Sequence, residues 1–425
     1  MLVERPSQRQ APTCDVPYAR DSEEKVRDRL VLTRESQGVD WVARARDLAP
    51  LIEAAASRTE QERRIPADVM AAMHDARLFH IFLPVSLGGP AVDLVTYNRV
   101  VETLAAADAS PAWCLAQAVA NTHAAGFLDP KIAQEVFGAA DALLAWGPPA
   151  GVAKAFAVDG GYRVTGKWRF ASGSANATWM GGHSTVFDAE DNPRRDRAGQ
   201  PVNRTVLFRK QHADIADSWH VIGLRGTASN DYQVADLFVP EAYSTWRDSA
   251  ADRRERGPLY NIPMLTLYGV GFSGVALGIA SACLAAFIKL APVKKSGGGV
   301  GATTVLRDNA VIQSRTAQAT ARLHSARAFL LQMLQEVWHT SVTTGTFTLE
   351  QRAHLRLAIT GAMDQAREVV DFAYHAASTT AIFEGSPFER RFRDMHTALA
   401  QGQAHQSNFE SAGQALFGIE PSQRL

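Results

Sequence analysis

The order of hydrophobic patterns along the chain constrains its fold more than any single motif. Apolar residues recur every three or four positions between Trp41 and about Ala140, which indicates helices. Short alternating runs follow from about Trp146 to Trp246 and indicate strands. Helical spacing returns after Pro258 and continues toward the end of the chain. A small β domain between two helical regions is an uncommon arrangement, and it predicts an α+β, mainly α fold.

The boundaries between these patterns divide the 425 residues into four predicted parts. Residues 1–35 are charged and lack apolar periodicity, so we expect a flexible arm there. An N-terminal helical domain is predicted at 36–145 and a small β-barrel at 146–247. A C-terminal bundle of four long antiparallel helices is predicted at 258–425, because its helical patterns are long and closely connected.

Residues 265–291 form an almost continuous apolar stretch that is long enough to cross a bilayer. Four glycines interrupt it, at Gly269, Gly271, Gly274 and Gly278. Small residues of this kind let helices approach one another closely. The sequence shows no second stretch like it and no basic flank before it. A helix buried in the protein core is therefore the preferred interpretation.

The charge balance and the cysteine pattern argue against several classes of protein. Lys plus Arg and Asp plus Glu number 44 each, so no nucleic-acid-binding face is indicated. Cys14, Cys114 and Cys283 lie far apart, which fits neither a disulfide framework nor a zinc site. The first 30 residues lack the apolar core of a signal peptide. We therefore expect a cytoplasmic protein with no metal and no nucleic-acid or membrane partner.

Four segments, in this order, resemble the acyl-CoA dehydrogenase superfamily. They are RIPADVMAAMHDARLFHIFLPVSLGG, VDGGYRVTGKWRFASGSANATW, GLRGTASNDYQVADLFVP and SPFERRFRDMHT. Within the superfamily they are most similar to the two-component (group D) flavin-dependent monooxygenases. The segment WGPPAGVA, before the first long strand, is also in the style of the monooxygenases. The resemblance implies the acyl-CoA dehydrogenase-like fold, with a helical domain, a small β-barrel and a four-helix bundle.

The resemblance also implies an activity and its partners. Reduced FMN or FAD (FMNH2 or FADH2) would bind, and O2 would add at the flavin C4a. The resulting C4a-hydroperoxide would oxygenate a small organic substrate that is aromatic or contains nitrogen or sulfur. No nicotinamide-binding fingerprint is visible in the sequence, so a separate NAD(P)H-dependent flavin reductase is the expected partner. Members of the family usually assemble through the bundle, which implies a homotetramer.

Residues 166–174, GKWRFASGS, resemble the strand of the family that faces the flavin. A flavin ring is a flat apolar plate with a polar rim, so it needs an aromatic wall and hydroxyl or amide donors. Trp168 and Phe170 provide the wall in this hypothesis, and Ser172 and Ser174 provide the donors. A core aromatic of the barrel is the competing explanation for Trp168.

Two histidines are candidate catalytic groups because of the resemblance. His123 matches a position where related monooxygenases hydrogen-bond the flavin hydroperoxide in a water-poor pocket. We expect it to hold that adduct together with Ser172. His396 matches one histidine of the last long helix of the family. A histidine satisfied within the core is the competing explanation for His123.

The last family-like segment also carries candidate binding residues. The guanidinium groups of Arg391 and Arg393 suit a flavin phosphate or a carboxylate of a neighbouring subunit. Asn176 and Gln401 stand where many relatives have histidines, and they are candidate substrate contacts. Neither amide takes a proton near neutral pH. This weakens the simple phenol-hydroxylase interpretation and leaves the substrate open.

Two other classes of function stay open at the level of sequence. Glu384 falls where many acyl-CoA dehydrogenases place the carboxylate that removes the substrate's α-proton. A dry flavin pocket would raise the pKa of that carboxylate toward a useful base, whereas an exposed glutamate at a helix end is the competing explanation. The third class is a non-catalytic, flavin-free member that keeps the fold as a binding or assembly module.

Overall fold

The computed structural model describes residues 38–295 and 304–423, so the arm predicted at 1–35 lies outside it. Within these residues, five α-helices precede the sheet: α1 (Trp41–Glu62), α2 (Ala67–Asp75), α3 (Leu94–Ala107), α4 (Ala109–Thr122) and α5 (Pro130–Phe137). Five more follow it: α6 (Met264–Leu290), α7 (Ala310–Thr343), α8 (Leu349–Ala377), α9 (Glu389–Ala398) and α10 (Ser407–Leu416). The predicted α+β, mainly α fold is confirmed.

Several helices begin where the sequence supplies a capping side chain. Asp93, Asp108 and Asp129 each accept a backbone N–H from the first turn of α3, α4 and α5, respectively. Thr348 and Gln351 form a reciprocal capping box at the start of α8. These contacts satisfy N–H groups that have no partner within the helix. Asp108 also separates α3 from α4, because its extended backbone interrupts the helical path.

Eight strands form one mixed sheet in the middle of the chain. They are β1 (Leu144–Ala145), β2 (Lys154–Val158), β3 (Gly161–Ala171), β4 (Trp179–Phe187), β5 (Asn203–Arg209), β6 (Asp214–Ile215), β7 (Asn230–Pro240) and β8 (Ser244–Thr245). Their order is β6-β7-β3-β2-β4-β5-β8, with β1 beside β4. The hydrogen-bonded path therefore has two ends, at β6 and β8, among the described strands. The hydrogen bonds of the described strands thus form an open mixed sheet and not the closed barrel that was predicted.

The long apolar segment forms α6, and 72% of its most apolar stretch is buried inside the protein. A Cβ added at Gly271 would lie 2.3 Å from the hydroxyl of Tyr97, and one at Gly274 would lie 2.8 Å from the carbonyl oxygen of Asn98. Both partners belong to α3, so the glycines allow the two helices to touch. The helix is long and apolar enough to span a membrane, but its burial confirms the prediction of a core helix.

The C-terminal region differs from the predicted bundle of four long helices. Helices α6, α7 and α8 have 27, 34 and 29 residues, whereas α9 and α10 have 10 each. The helix cannot continue past α8 because Ser378 and Gly385 have φ angles of 51° and 81° and Pro387 follows. Helix α9 packs on α6 and α8 and also contacts α4, while α10 packs on α8. The two short helices replace the expected fourth long one.

Candidate active site

Hydrogen bonds converge on the hydroxyl of Ser172, immediately after β3. The indole Nε1 of Trp113, on α4, donates to Ser172 Oγ at 3.0 Å. Ser172 Oγ lies 2.7 Å from Ser229 Oγ, which in turn lies 2.7 Å from Thr227 Oγ1. All four side chains are buried, so these bonds do not exchange freely with water. We call Ser172, Thr227 and Ser229 the hydroxyl cluster.

Phe170 presents an open aromatic ring two residues before Ser172. Its φ angle is 59°, and the β3–β7 register shifts between Trp168 and Ala171. A positive φ is strained for an aromatic residue and is often found at functional sites. The residue is 52% exposed, and its ring meets Trp219 edge to face at 6.2 Å. An exposed aromatic ring beside a buried hydroxyl fits the plate and polar rim of a flavin.

Trp168, the other predicted part of the aromatic wall, lies inside the sheet. It is fully buried, and its ring stacks on Tyr232 with centroids 5.2 Å apart. Its Nε1 donates to the carbonyl oxygen of His183 at 3.0 Å. Alternation along β3 directs this side chain inward, so no face of the indole is open to a ligand. The structure supports the competing explanation, a core aromatic, and gives no support to a flavin contact.

Ser174 and Asn176 follow on the turn after β3. The hydroxyl of Ser174 is fully buried and donates to the carbonyl oxygen of Ala228 at 2.7 Å. It therefore ties the turn after β3 to the turn before β7, and its proton is not free for a flavin. Asn176 is half-buried, and its backbone N–H donates to the carbonyl oxygen of Gly173 at 2.9 Å. Its role as a substrate contact stays a prediction.

His123 is buried between two aromatic rings just beyond α4. Its ring centroid is 5.1 Å from those of both Tyr260 and Phe127, and neither ring nitrogen makes a well-formed hydrogen bond with a described residue, apart from a weak contact with the backbone of Leu259. Burial, followed by the charge of Arg247, lowers the pKa of His123 to about 3, so the ring is neutral. Trp113, which donates to Ser172, lies ten positions earlier, about 15 Å along a helix axis. None of the contacts described for His123 joins it to the hydroxyl cluster. Its role beside the flavin stays a prediction.

The two arginines predicted to meet a phosphate contact the chain itself. Arg391 donates to the carbonyl oxygen of Ala106 at 3.4 Å. Arg393 forms ion pairs with Glu60 and with Glu389, each at 2.7 Å. These contacts join α9 to α1 and to the end of α3. They give the arginines structural roles and do not support the predicted flavin contact.

His396 and Gln401 lie at the end of α9 and just beyond it. His396 Nε2 lies 2.8 Å from Asp371 Oδ1, and its ring packs on Phe392 at 4.4 Å. Gln401 Oε1 accepts the backbone N–H of Gln403 at 2.6 Å. None of these contacts reaches the hydroxyl cluster. The catalytic and substrate roles of the two residues remain predictions.

Glu384 is exposed on the turn between α8 and α9. Its neighbours Ile382 and Phe383 are 61% and 66% exposed. A flavin-site base needs a dry surrounding to raise its pKa, and this turn does not provide one within the single chain. The placement supports the competing explanation of an exposed glutamate and does not favour a dehydrogenase.

A buried polar network around Tyr268 of α6 was not found from the sequence. Tyr268 Oη accepts hydrogen bonds from Trp146 Nε1 at 2.9 Å and from Arg247 Nη2 at 3.0 Å, and it donates to Asn121 Oδ1 at 2.7 Å. The Arg247 guanidinium also lies 4.6 Å from the centre of a Trp146 ring. A lone tyrosine within an apolar helix was the signal that could have identified the network, because a buried phenol needs partners.

Phe272 connects this network to the hydroxyl cluster. Its ring stacks on Trp113 with centroids 4.2 Å apart and planes at 4°, and it packs against Tyr268 at 6.1 Å. Trp113, Phe272, Tyr268 and Trp146 thus form a continuous set of aromatic rings. All four are buried, so the set forms an apolar wall that excludes water beside Ser172.

Comparison with known proteins identifies families and relatives that the chain resembles. The model of the acyl-CoA dehydrogenase N-terminal domain matches residues 43–140, and that of the C-terminal domain matches residues 270–407. The oxygenase component of FADH2-dependent resorcinol hydroxylase from Rhizobium sp. is 28% identical over 399 residues, which are 90% of this chain and 95% of that protein. Indole-3-acetate monooxygenase from Acinetobacter baumannii is 25% identical over 371 residues, covering 87% of this chain and 92% of that protein.

A solved structure agrees with these sequence matches. The crystal structure of the HsaA monooxygenase from M. tuberculosis superposes with a TM-score of 0.80 at 25% identity, covering 91% of this chain and 99% of that one. The matches extend over the helical domain, the sheet and the bundle. The chain therefore belongs to the acyl-CoA dehydrogenase superfamily and, within it, to the flavin-dependent monooxygenases.

Proposed function

We propose that the chain is the oxygenase component of a two-component monooxygenase that uses reduced flavin and O2 to oxygenate a small aromatic substrate. The observation that carries this proposal is the exposed ring of Phe170 beside the buried hydroxyl of Ser172. One provides an apolar surface for a flat ring, and the other provides a hydrogen-bonding group at its rim. When bound, the reduced flavin supplies the electrons that activate O2.

The hydrogen bonds at Ser172 support this role. Trp113 donates to Ser172 Oγ, and the Thr227 hydroxyl donates to the carbonyl oxygen of Leu224. Ser229 therefore donates to Thr227, and the Ser172 proton goes to Ser229 Oγ. The position of the Ser172 oxygen is fixed by these bonds, and a bound ligand would receive the Ser172 proton through a rotation of the hydroxyl alone.

The apolar surroundings of Ser172 support an aromatic substrate. The rings of Trp113, Phe272, Tyr268 and Trp146 are buried and packed on one another, so they make the region beside Ser172 aromatic and dry without offering an open face of their own. The related proteins named above act on resorcinol and on indole-3-acetate, both aromatic. Attack at nitrogen or sulfur is the second candidate, since Asn176 and Gln401 replace the histidines expected for a phenol hydroxylase.

We also propose a separate NAD(P)H-dependent flavin reductase and a homotetramer as the working assembly. The term oxygenase component in the name of the resorcinol relative supports the reductase. Exposed apolar side chains near the C-terminus support contact with further copies of the chain. They include Ile382, Phe383, Phe417 and Ile419, which are 56–85% exposed. Sedimentation of the purified protein as a monomer would contradict the assembly.

The test supplies reduced flavin and isotopically labelled O2 and looks for label in the product. Resorcinol and indole-3-acetate are the first substrates, and FMN and FAD are compared with an added flavin reductase. One labelled oxygen atom per product molecule, only when reduced flavin is supplied, is the expected result. Full turnover with NAD(P)H alone would contradict the two-component arrangement. Oxidation of an acyl thioester that is lost in Glu384→Gln would favour a dehydrogenase instead.

A further inference from the structure

Asp394 joins α9 to the turn at 223–229, which lies between β6 and β7. Its Oδ1 accepts the backbone N–H of Leu224 at 2.6 Å, and the residue is only 4% exposed. Leu224 has a φ of 51°, a strained conformation for a leucine. A Cβ added at Gly223 would lie 2.2 Å from the carbonyl oxygen of Arg393, so the helix and the turn are in backbone contact.

The same turn holds the hydroxyl cluster in place. The backbone N–H and the hydroxyl of Thr227 both donate to the carbonyl oxygen of Leu224, at 3.1 and 2.9 Å. The carbonyl oxygen of Thr227 accepts the N–H of Gly173 at 2.8 Å, and its hydroxyl bonds to Ser229. A displacement of Leu224 would therefore be passed on to Ser172 by two routes.

We propose that Asp394 is a positioning residue for Ser172, acting through the Leu224 amide and the hydroxyl cluster. The inference rests on the proposed function, in which the Ser172 hydroxyl faces the flavin. Asp394 touches neither flavin nor substrate in this account. It fixes the turn that decides where the serine oxygen lies.

The surroundings of Asp394 make this contact sensitive to pH. The charges of Asp108 at the start of α4 and of Arg390 and Arg393 of α9 act on Asp394 directly. Glu60 of α1 and Arg391 of α9 act on Asp108, and Arg225 of the turn forms an ion pair with Glu60. Burial and then repulsion by Asp108 raise the pKa of Asp394 to about 7. Burial likewise raises the pKa of Asp108 to about 6. We call the hydrogen bond from the Leu224 N–H to Asp394 the clamp. An ionised carboxylate accepts an N–H more strongly than a protonated one, so this bond strengthens as the pH rises.

Three variants separate positioning from simple loss of stability. Asp394→Leu removes the acceptor and keeps the branched shape of the side chain, with a larger volume. Asp394→Asn keeps an oxygen acceptor and removes the charge. Asp93→Asn is the matched control, because Asp93 also accepts backbone N–H groups, at Val95 and Thr96, but caps α3 away from the cluster.

The first measurement needs no flavin. Amide hydrogen exchange of the flavin-free protein is followed by mass spectrometry at residues 222–230 and 171–176. We expect Asp394→Leu to exchange about tenfold faster in both segments, because a buried N–H loses its partner. Asp394→Asn should match the unmodified protein at pH 6, where the carboxyl is neutral, and Asp93→Asn should match it at every pH. Unchanged exchange in Asp394→Leu, with a folded protein, would overturn the clamp.

The second measurement follows the lag before oxidised flavin appears when the reduced complex meets O2. We expect Asp394→Leu to shorten the lag about tenfold. The unmodified protein should lose lag between about pH 8 and about pH 6, around the pKa of Asp394. Asp394→Asn is a neutral acceptor like the protonated carboxyl, so it should show the shorter, low-pH lag at both pH values. A pH step of unchanged size in Asp394→Asn, or a normal lag in flavin-bound Asp394→Leu, would overturn the proposal.

The two measurements distinguish failure of the proposed function from failure of the role given to Asp394. If the unmodified protein shows no lag with any reduced flavin, the proposed function fails, and hydrogen exchange still decides whether the clamp exists. If Asp394→Leu does not fold, Asp394→Asn carries the test through its pH profile. A profile identical to that of the unmodified protein would then count against Asp394.

Discussion

The indole N–H of Trp113 donates to Ser172 Oγ at 3.0 Å, across 59 residues of sequence. This bond ties α4 of the helical domain to the end of β3. Phe272 of α6 stacks on the same indole. Three parts of the fold therefore meet at one serine, which is where the proposed flavin rim lies.

Trp113→Phe tests that bond, because it keeps a ring for Phe272 to stack on and removes the donor. We expect a loss of about 1 kcal/mol in the free energy of unfolding, the ordinary value of one buried hydrogen bond. We also expect more hydrogen peroxide per reduced flavin, because the serine oxygen is no longer fixed. Peroxide assay is the readout, with Trp338→Phe on α7 as the control. Equal peroxide yields in both variants would contradict a role for the bond.

Substitutions of Phe170 and Trp168 are expected to affect flavin binding and protein stability separately. Phe170→Ala should weaken the binding of reduced flavin about tenfold. It should leave the free energy of unfolding nearly unchanged, because the residue is 52% exposed and has a strained backbone. Trp168→Ala should cost about 3–5 kcal/mol in unfolding free energy, because it empties the core of the sheet. Flavin titration and chemical denaturation measure the two effects. Weaker flavin binding in Trp168→Ala together with lower stability in Phe170→Ala would show that Trp168, and not Phe170, contacts the flavin.

The buried carboxyl of Asp394 predicts how stability depends on pH. Its pKa is raised from 3.8 to about 7, so between these values the folded state binds more protons than the unfolded state. Its contribution to stability is therefore present at low pH and is lost as the pH rises toward 7. Asp394→Asn should remove this dependence and gain on the order of 1–3 kcal/mol above pH 7 relative to the unmodified protein.

Chemical denaturation at several pH values and fixed protein concentration checks this prediction. His123, with a pKa lowered to about 3, acts in the opposite direction, since its contribution is lost as the pH falls below about 6.5. The difference between variant and unmodified protein isolates Asp394 from this effect. A difference that does not change with pH would show that Asp394 is not buried in its neutral form.

Glu384→Gln is expected to change neither flavin binding nor oxygen transfer by more than about twofold, the normal scale for an exposed substitution. The residue lies on an exposed turn and not in a dry pocket. Product formation with labelled O2 is the measurement, and Glu350→Gln in the first turn of α8 is the control. A loss of turnover confined to Glu384→Gln would show that the turn enters a site in the assembled protein.

The sequence predicted the larger features because they depend on periodicity. Alternation and three-to-four spacing identified the β domain between helical regions, and the glycines within an apolar helix indicated close packing with α3. Strand alternation alone does not say which face is inside, so Trp168 and Phe170 were assigned to the same role. The irregularity between Trp168 and Ala171 places them on opposite sides.

Contacts between distant residues could not be predicted in this way. The bond from Leu224 to Asp394 joins positions 170 residues apart, and the one from Tyr268 to Asn121 joins positions 147 apart. No local pattern encodes such pairs, because they depend on how whole helices pack. His123, matched by resemblance, illustrates the same limit, since no local pattern indicates that its ring packs against Phe127 and Tyr260.

Stopped-flow mixing of the anaerobic protein, loaded with reduced FMN or FAD, with oxygenated buffer decides whether the protein activates oxygen on the flavin. We expect a lag before the absorbance of oxidised flavin returns, because the site excludes water and holds the activated oxygen. We also expect the lag to shorten in Trp113→Phe and Phe170→Ala. Immediate reoxidation without a lag, or a reduced flavin that is stable in air, would contradict a monooxygenase and turn the search toward acyl thioesters.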